Sequence, residues 1–253
     1  MADVRAEAEN VLLLDAGDAL VGGGALGDLT EGRAVVQGMD LMGYDAMAIG
    51  PKELGLGAEE LASRIAEAGF PLLSANVTSA RDGAPVAEPY TLIDLGGHTI
   101  GVIGLTRPEP DVPSEFVVED PLVALERVLP DVAARAGTIV VLSNLDLRTA
   151  SDYAENVSGT DLWVVGLPDI QPNGYQETAE GGTYIVSAEH PQAQHTGRRV
   201  GRLALTVAPD GSVTPLAWQT LAMDKALADD PAMSELLDQH WTEFWGPDAA
   251  PIE

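Results

Sequence analysis

The sequence predicts an α/β domain in which two mixed sheets pack face to face between outer helices, a four-layer αββα sandwich. Three observations carry this. Short, continuous apolar runs alternate with amphipathic helical stretches through the first two thirds of the chain, as in folds built from βα units. Those runs end at turn residues, and in α/β sheets the loops at the carboxyl ends of strands gather ligands. From Thr183 onward the pattern changes to short β segments joined by turns such as Pro209-Asp210-Gly211, and a strand-rich half added to βα units makes a second sheet.

Residues 3–9 read as the end of a helix stopped by Asn10, and Val11-Leu12-Leu13-Leu14 as a strand buried on both faces. Asp15-Ala16-Gly17-Asp18 follows at its carboxyl end. Two carboxylates beside a glycine fit a metal or phosphate loop, and fit equally a plain turn of Asp and Gly. Residues 21–27 are glycine-rich but lack the Lys-Ser/Thr of a phosphate loop, so they read as a flexible loop. A helix over 30–42 sets Val35, Val36, Met39 and Met42 on a helical period and stops at Gly43. The strand 45–49 ends in the turn Gly50-Pro51 and runs into polar Lys52-Glu53, bounded by Gly55 and Gly57.

A second amphipathic helix covers 58–68, and 70–77 is a further strand. Tyr90–Leu95 and His98–Leu105 flank Gly96-Gly97 as a hairpin, with His98 at its solvated turn. A helix with Pro121 in its first turn spans 121–135. The strand 138–142 ends in Ser143-Asn144, a helix covers 150–157, and the strand 161–166 leads to Leu167-Pro168-Asp169. Beta segments at 183–187, 199–208 and 212–219 precede a last helix over 231–244, which carries Trp241, Phe244 and Trp245. No repeat or clean boundary is present, so residues 1–253 read as one domain with 231–245 as a docking or linker helix.

Composition excludes several classes of function. The net charge of −27 comes from 40 acidic against 13 basic residues, and the only lysines are Lys52 and Lys225. Such a surface repels phosphate backbones and anionic lipid, which argues against a nucleic-acid partner. The acidity has two readings: a surface suited to high salt, or codon bias in an exported protein. With no cysteine there is no disulfide, thiolate zinc site or Cys nucleophile. No apolar run is long enough for a membrane span, and the first residues lack a signal-peptide layout. Of the four histidines, His190 and His195 lie with Glu189 in a polar loop, and His240 sits beside Trp241 on the last helix.

Four strand ends together resemble the 5'-nucleotidase (2',3'-cyclic phosphodiesterase) branch of the calcineurin-like metallophosphoesterases. Leu12-Leu13-Leu14-Asp15-Ala16-Gly17-Asp18 is similar to that family's Gly-Asp block, and Met42–Gly50 to the lead-in of its Gly-Asn-His-Glu. Residues 70–77 and 100–106 also match family segments. The resemblance implies the sandwich fold and a two-metal phosphoesterase site, which needs bridging carboxylate, imidazole and amide ligands. Carried over by position, Asp18 keeps the bridging carboxylate, whereas Pro51 replaces the amide ligand and Lys52 the histidine acid. Asn144 stands for a later histidine, and Leu167-Pro168-Asp169 for His-Thr-His. The family's first Asp-x-His motif lies ahead of residue 4 and has no counterpart. The resemblance is therefore to the branch in degenerate, N-terminally short form.

The expectation is a catalytically inactive domain kept as a binding or structural module, without a cofactor, with a protein partner or further domain meeting the last helix. The vestigial pocket comprises Asp18, Pro51, Lys52, Glu53, Asn144, Leu167 and Asp169, and Lys52 is expected to fill the metal's place by pairing with Asp18 or Asp169. A rebuilt oxygen-only site of Asp18, Asn144 and Asp169, with Glu53, holding Mg²⁺ or Ca²⁺, is the alternative for metal. Two other functions stay open: metal-dependent phosphoester hydrolysis, and nucleotide binding without hydrolysis through Arg107, Arg198 and Arg199. The resemblance favours a periplasmic or extracellular place.

Overall fold

A computed structural model describes residues 1–167, 174–178, 181–188, 199–224 and 227–246. Its helices are α1 (Ala2–Glu7), α2 (Ala25–Leu29), α3 (Arg33–Met42), α4 (Pro51–Leu54), α5 (Ala58–Glu67), α6 (Pro121–Ala133), α7 (Leu147–Asn156) and α8 (Pro231–Trp245). Its strands are β1 (Leu14–Asp15), β2 (Ala46–Ala48), β3 (Leu72–Leu73), β4 (Val77–Ser79), β5 (Tyr90–Leu95), β6 (His98–Leu105), β7 (Phe116–Val118), β8 (Thr138–Asp146), β9 (Leu162–Leu167), β10 (Gly174–Glu177), β11 (Tyr184–Ser187), β12 (Arg199–Val207) and β13 (Val213–Ala222). The class is mixed α/β, as the sequence predicts. One sheet runs β1-β2-β3, all parallel. A larger one runs β10-β11-β9-β8-β6-β5, parallel in its middle and closed at each edge by an antiparallel pair.

Apolar runs become central strands because both their faces are covered. Ala46 and Ala48 of β2 and Leu73 of β3 share a core with Val102, Val140 and Leu142 of the large sheet. Met47 and Ile49 point the other way, onto Val36, Met39 and Leu61 of α3 and α5. On the far side Val141 and Trp163 pack with Leu125 of α6 and Ala150 of α7. The strand alternation at 46–49 thus divides one tetrapeptide between two cores. Both sheets keep their parallel strand ends on the side where Asp18, Gly50, Thr106 and Asn144 meet.

Three strand boundaries differ from the sequence reading. The run 11–14 pairs only at Leu14–Asp15, because the Leu13 N–H donates to Asp45 Oδ2 at 2.7 Å instead of to a ladder carbonyl. The strand 70–77 splits in two around buried Ser74 and Asn76, whose side chains bond Thr106 across the sheets. The strand 138–142 continues to Asp146, so Ser143 and Asn144 are fully buried strand residues, not a loop. Asp146 then caps α7 by accepting the Thr149 N–H at 2.9 Å, which starts that helix three residues early.

The self-repulsion of a −27 chain opposes compaction and is screened by salt. Raising NaCl from 0.1 M to 1 M, which shortens the Debye length from about 10 Å to about 3 Å, is therefore expected to raise the melting temperature, followed by circular dichroism. A melting temperature that falls or stays level contradicts this.

Candidate functional site

The site is built where β1, β2, β6 and β8 end. Gly17 has φ +99° and Asp18 φ +64°, so the chain after β1 turns through two left-handed residues. That conformation costs a non-glycine residue roughly 1 kcal/mol or more. Glu53 holds it: the Asp18 and Gly50 N–H groups donate to Oε2 at 2.9 and 2.8 Å, and the Leu20 N–H donates to Oε1 at 2.9 Å. The bond to Gly50 is half of a capping box at the start of α4. Burial pushes the Glu53 carboxyl up to about 7, and the Asp18 charge adds to this, against the lowering pull of the three N–H groups. Glu53 is wholly enclosed. It is a backbone staple, and its oxygens face no open metal position.

Asp18 receives the Lys52 backbone N–H on Oδ1 at 2.9 Å, and Arg107 Nη2 lies 3.9 Å from Oδ2. Arg107 is anchored at its root by Asn144: its N–H donates to Asn144 Oδ1 at 2.7 Å and its Nε to the Asn144 carbonyl at 3.1 Å. Its Nη1 pairs with Glu109. Asn144 is 1% exposed, and among the described residues its Nδ2 has no hydrogen-bond partner. Because the Arg107 N–H takes the amide oxygen, the NH₂ is turned the other way. A methyl on Gly50 would lie 2.2 Å from this nitrogen and 2.3 Å from Asp18 Oδ1, so both atoms converge on one face of Gly50.

The structure therefore brings together Asp18, Pro51, Lys52, Glu53 and Asn144 from the predicted pocket. Leu167 ends β9. Asp169 lies outside the described residues, as do Pro168, Glu189, His190, His195 and Arg198. The expected pairing of the Lys52 ammonium with Asp18 is corrected, while a pairing with Asp169 lies outside the described residues. Among the described residues no carboxylate lies within ion-pair distance of its ammonium, which packs beside Gly22; it is the Lys52 backbone that reaches Asp18. The cation beside Asp18 is Arg107, two residues past the end of β6. The sequence offered a signal for it: a cation just beyond a buried strand's carboxyl end, followed by Pro108 and Glu109.

This donor set does not fit a two-metal centre. Asp18 is met by an N–H and a guanidinium, the Asn144 oxygen is spent on an N–H, and Pro51 offers no donor atom. Among the described residues no group of three or more His, Cys, Asp or Glu gathers. Of the alternative oxygen set of Asp18, Asn144 and Asp169, with Glu53, Asp169 lies outside the described residues, and the oxygens of the other three already accept N–H groups of the protein.

No family model matches the chain. The fold nevertheless superposes on the 5'-nucleotidase precursor of Thermus thermophilus with a TM-score of 0.81 at 27% identity, over 96% of this chain and 51% of that one. It also superposes on the calcineurin-like phosphoesterase YfkN of Bacillus subtilis with a TM-score of 0.75 at 19% identity, a likeness of fold alone over 96% and 86% of the two chains. The class is thus the calcineurin-like phosphoesterase fold. In sequence the chain is 28% identical to the 5'-nucleotidase of Rattus norvegicus over 257 residues, 93% of this chain and 44% of that one. The chain belongs to the 5'-nucleotidase branch of the calcineurin-like metallophosphoesterases. It spans about half the length of these 5'-nucleotidases.

Membership corrects one expectation. 5'-Nucleotidases and calcineurin-like phosphoesterases depend on divalent metal, so the expectation of no cofactor, drawn from the altered motifs, does not stand. No helix among the described residues is long and apolar enough to cross a membrane.

Proposed function

We propose that this is a 5'-nucleotidase-like domain in which phosphoester hydrolysis has been lost and which serves as a binding or structural module. The observation that carries it is the Arg107 guanidinium beside Asp18, with the Asn144 amide turned away from ligand duty. A bridging carboxylate committed to protein donors cannot position an activated water for in-line attack. Helix α8 is the module's docking element, and residues 1–253 form one domain with it. This is supported by α8 lying on α3 through Arg33–Glu243 and His240–Gln37. A place outside the cytoplasm accords with relatives that include a snake venom 5'-nucleotidase from Naja atra.

The test is turnover of a nucleoside 5'-monophosphate and of a phosphodiester with added Mn²⁺. No release above the protein-free rate is expected. Release that Asp18→Asn abolishes overturns the proposal in favour of the second reading, metal-dependent phosphoester hydrolysis, which family membership supports. Nucleotide capture through Arg107 is the weaker reading, since Asp18 and Glu109 already flank its guanidinium.

A further inference from the structure

We propose that His240, buried where α8 meets α3 among Gln37, Arg33 and Glu243, is an acid-sensitive clasp that holds α8 on the domain when neutral and releases it when protonated. Of the residues of α8, His240 is the one fully buried, at 6% exposed. Its Nε2 lies 2.7 Å from Gln37 Oε1. An amide oxygen only accepts, so Nε2 carries the proton of the neutral ring and Nδ1 is left as a bare acceptor. Among the described residues Nδ1 has no hydrogen-bond partner.

Protonation turns Nδ1 into a buried donor. Glu243 Oε2 stands 3.7 Å from it, beyond hydrogen-bond distance, and Arg33 Nη2 already donates to both oxygens of that carboxylate at 3.1 Å. An unsatisfied buried donor and a second positive charge beside the guanidinium both count against the protonated ring. Burial, and then the Arg33 charge, hold the imidazole below its ordinary range against the opposing pull of Glu243. The other charged groups of the helices packed here are engaged elsewhere. Asp28 of α2 accepts the Gly22 N–H, Asp40 of α3 accepts the Gly69 N–H, and Glu235 and Asp238 of α8 are exposed to solvent.

Because the folded ring is held low, its contribution to docking is complete above 6.5, the ordinary histidine value, and is lost as pH falls through the folded one. Little else on this interface compensates. The Arg33–Glu243 pair is 35% and 55% exposed, and surface pairs of that kind contribute little. An isolated helix of the 15 residues of α8 is marginal in water, so a released α8 unwinds. Acid thereby uncovers Met233 and the side of α3 at Gly38 against which it packs. The proposal concerns only what holds α8 to α3, and rests neither on the loss of hydrolysis nor on a docking partner.

The test is amide hydrogen exchange of the whole chain, with each rate divided by its intrinsic rate at the same pH. Helix α6 serves as the reference within the molecule for changes that act on the whole domain, protonation of Glu53 among them. Protection of α8 relative to α6 is expected to fall at least about 3-fold between about pH 7.5 and about pH 5.5. His240→Gln, which still offers Gln37 a donor and cannot titrate, is expected to show no such fall. Arg33→Gln, which removes the neighbouring cation and frees Glu243 for the imidazolium, is expected to reduce it. Relative protection that stays level or rises in wild type overturns the proposal, and so does a fall that persists undiminished in His240→Gln. If His240→Gln does not give a folded circular dichroism spectrum, Arg33→Gln is read in its place, and a fall as large as in wild type overturns the proposal. Hydrolysis by wild type would overturn the preceding proposal and leave this one standing.

Discussion

Substituting Gly50 with alanine is expected to destabilise the domain by about 3 kcal/mol, the upper range for overpacking a closed site. The added methyl would meet Asn144 Nδ2 at 2.2 Å, Asp18 Oδ1 at 2.3 Å and the Asp18 backbone nitrogen at 2.8 Å. None of the three can step aside freely. Asn144 is buried and tied to the Arg107 N–H, Asp18 Oδ1 accepts the Lys52 N–H, and the Asp18 nitrogen is fixed by Glu53. For a chain of this length that energy corresponds to a fall of about 6–12 °C in melting temperature. Gly23→Ala is the control, since a methyl there meets nothing within 4 Å and should leave the melting curve unchanged. A Gly50→Ala shift no larger than the control's would mean that the Asp18–Asn144 contact is looser than described.

Glu53→Gln should be comparably severe. Glutamate presents two oxygens to three backbone N–H groups and both can accept whether the carboxyl is ionised or protonated, since the hydroxyl oxygen keeps a lone pair, whereas glutamine replaces one of them with an NH₂ that only donates. Whichever way the amide turns, at least one buried N–H loses its acceptor, at about 1–3 kcal/mol each. The left-handed Asp18 is then unsupported as well.

The pH dependence has a definite sign. The folded Glu53 carboxyl, pushed up to about 7 by burial, holds its proton where an unfolded glutamate near 4.5 has released it. Its contribution to stability is fully present below 4.5 and is lost as pH rises through 7. The gap in melting temperature between wild type and Glu53→Gln should therefore narrow from about pH 5 to about pH 8. A gap that is constant or widens contradicts the burial-dominated shift.

Two strands that carry the site were legible because buried parallel strands are continuous apolar runs, and 45–49 and 138–142 read that way, while 98–105 was legible as one arm of a hairpin around Gly96-Gly97. Their ends were less so. Ser143 and Asn144 are polar, so the run reads as stopping at Leu142, yet the strand carries on through an irregularity to Asp146, with the Ser143 hydroxyl accepting the neighbouring Leu145 N–H and the Asn144 oxygen accepting the Arg107 N–H from across the fold. The same cause hid the break at Ser74–Asn76. Which cation serves Asp18 was illegible for another reason. Lys52 is nearer to Asp18 along the chain and falls in the matching motif, but its stem leaves the pocket toward Gly22, whereas Arg107 arrives from an adjacent strand end. Neighbourhood across a sheet is a property of strand order, and β6 stands next to β8 only once the sheet is formed.

Helix α8 has a consequence for the order in which the chain matures during synthesis. Its contacts to α3 join residues about 200 positions apart, as in Gln37 to His240 and Arg33 to Glu243. At about 5–20 residues per second, α3 waits on the order of 10–40 s on the ribosome before its cover is made. Throughout that interval the outer side of α3, including Gly38, which ends against Met233, stands open to solvent and to whatever else is nearby. The first helical layer is thus translated early and finished last, and a nascent chain stalled before residue 231 would display a surface that the completed protein keeps covered.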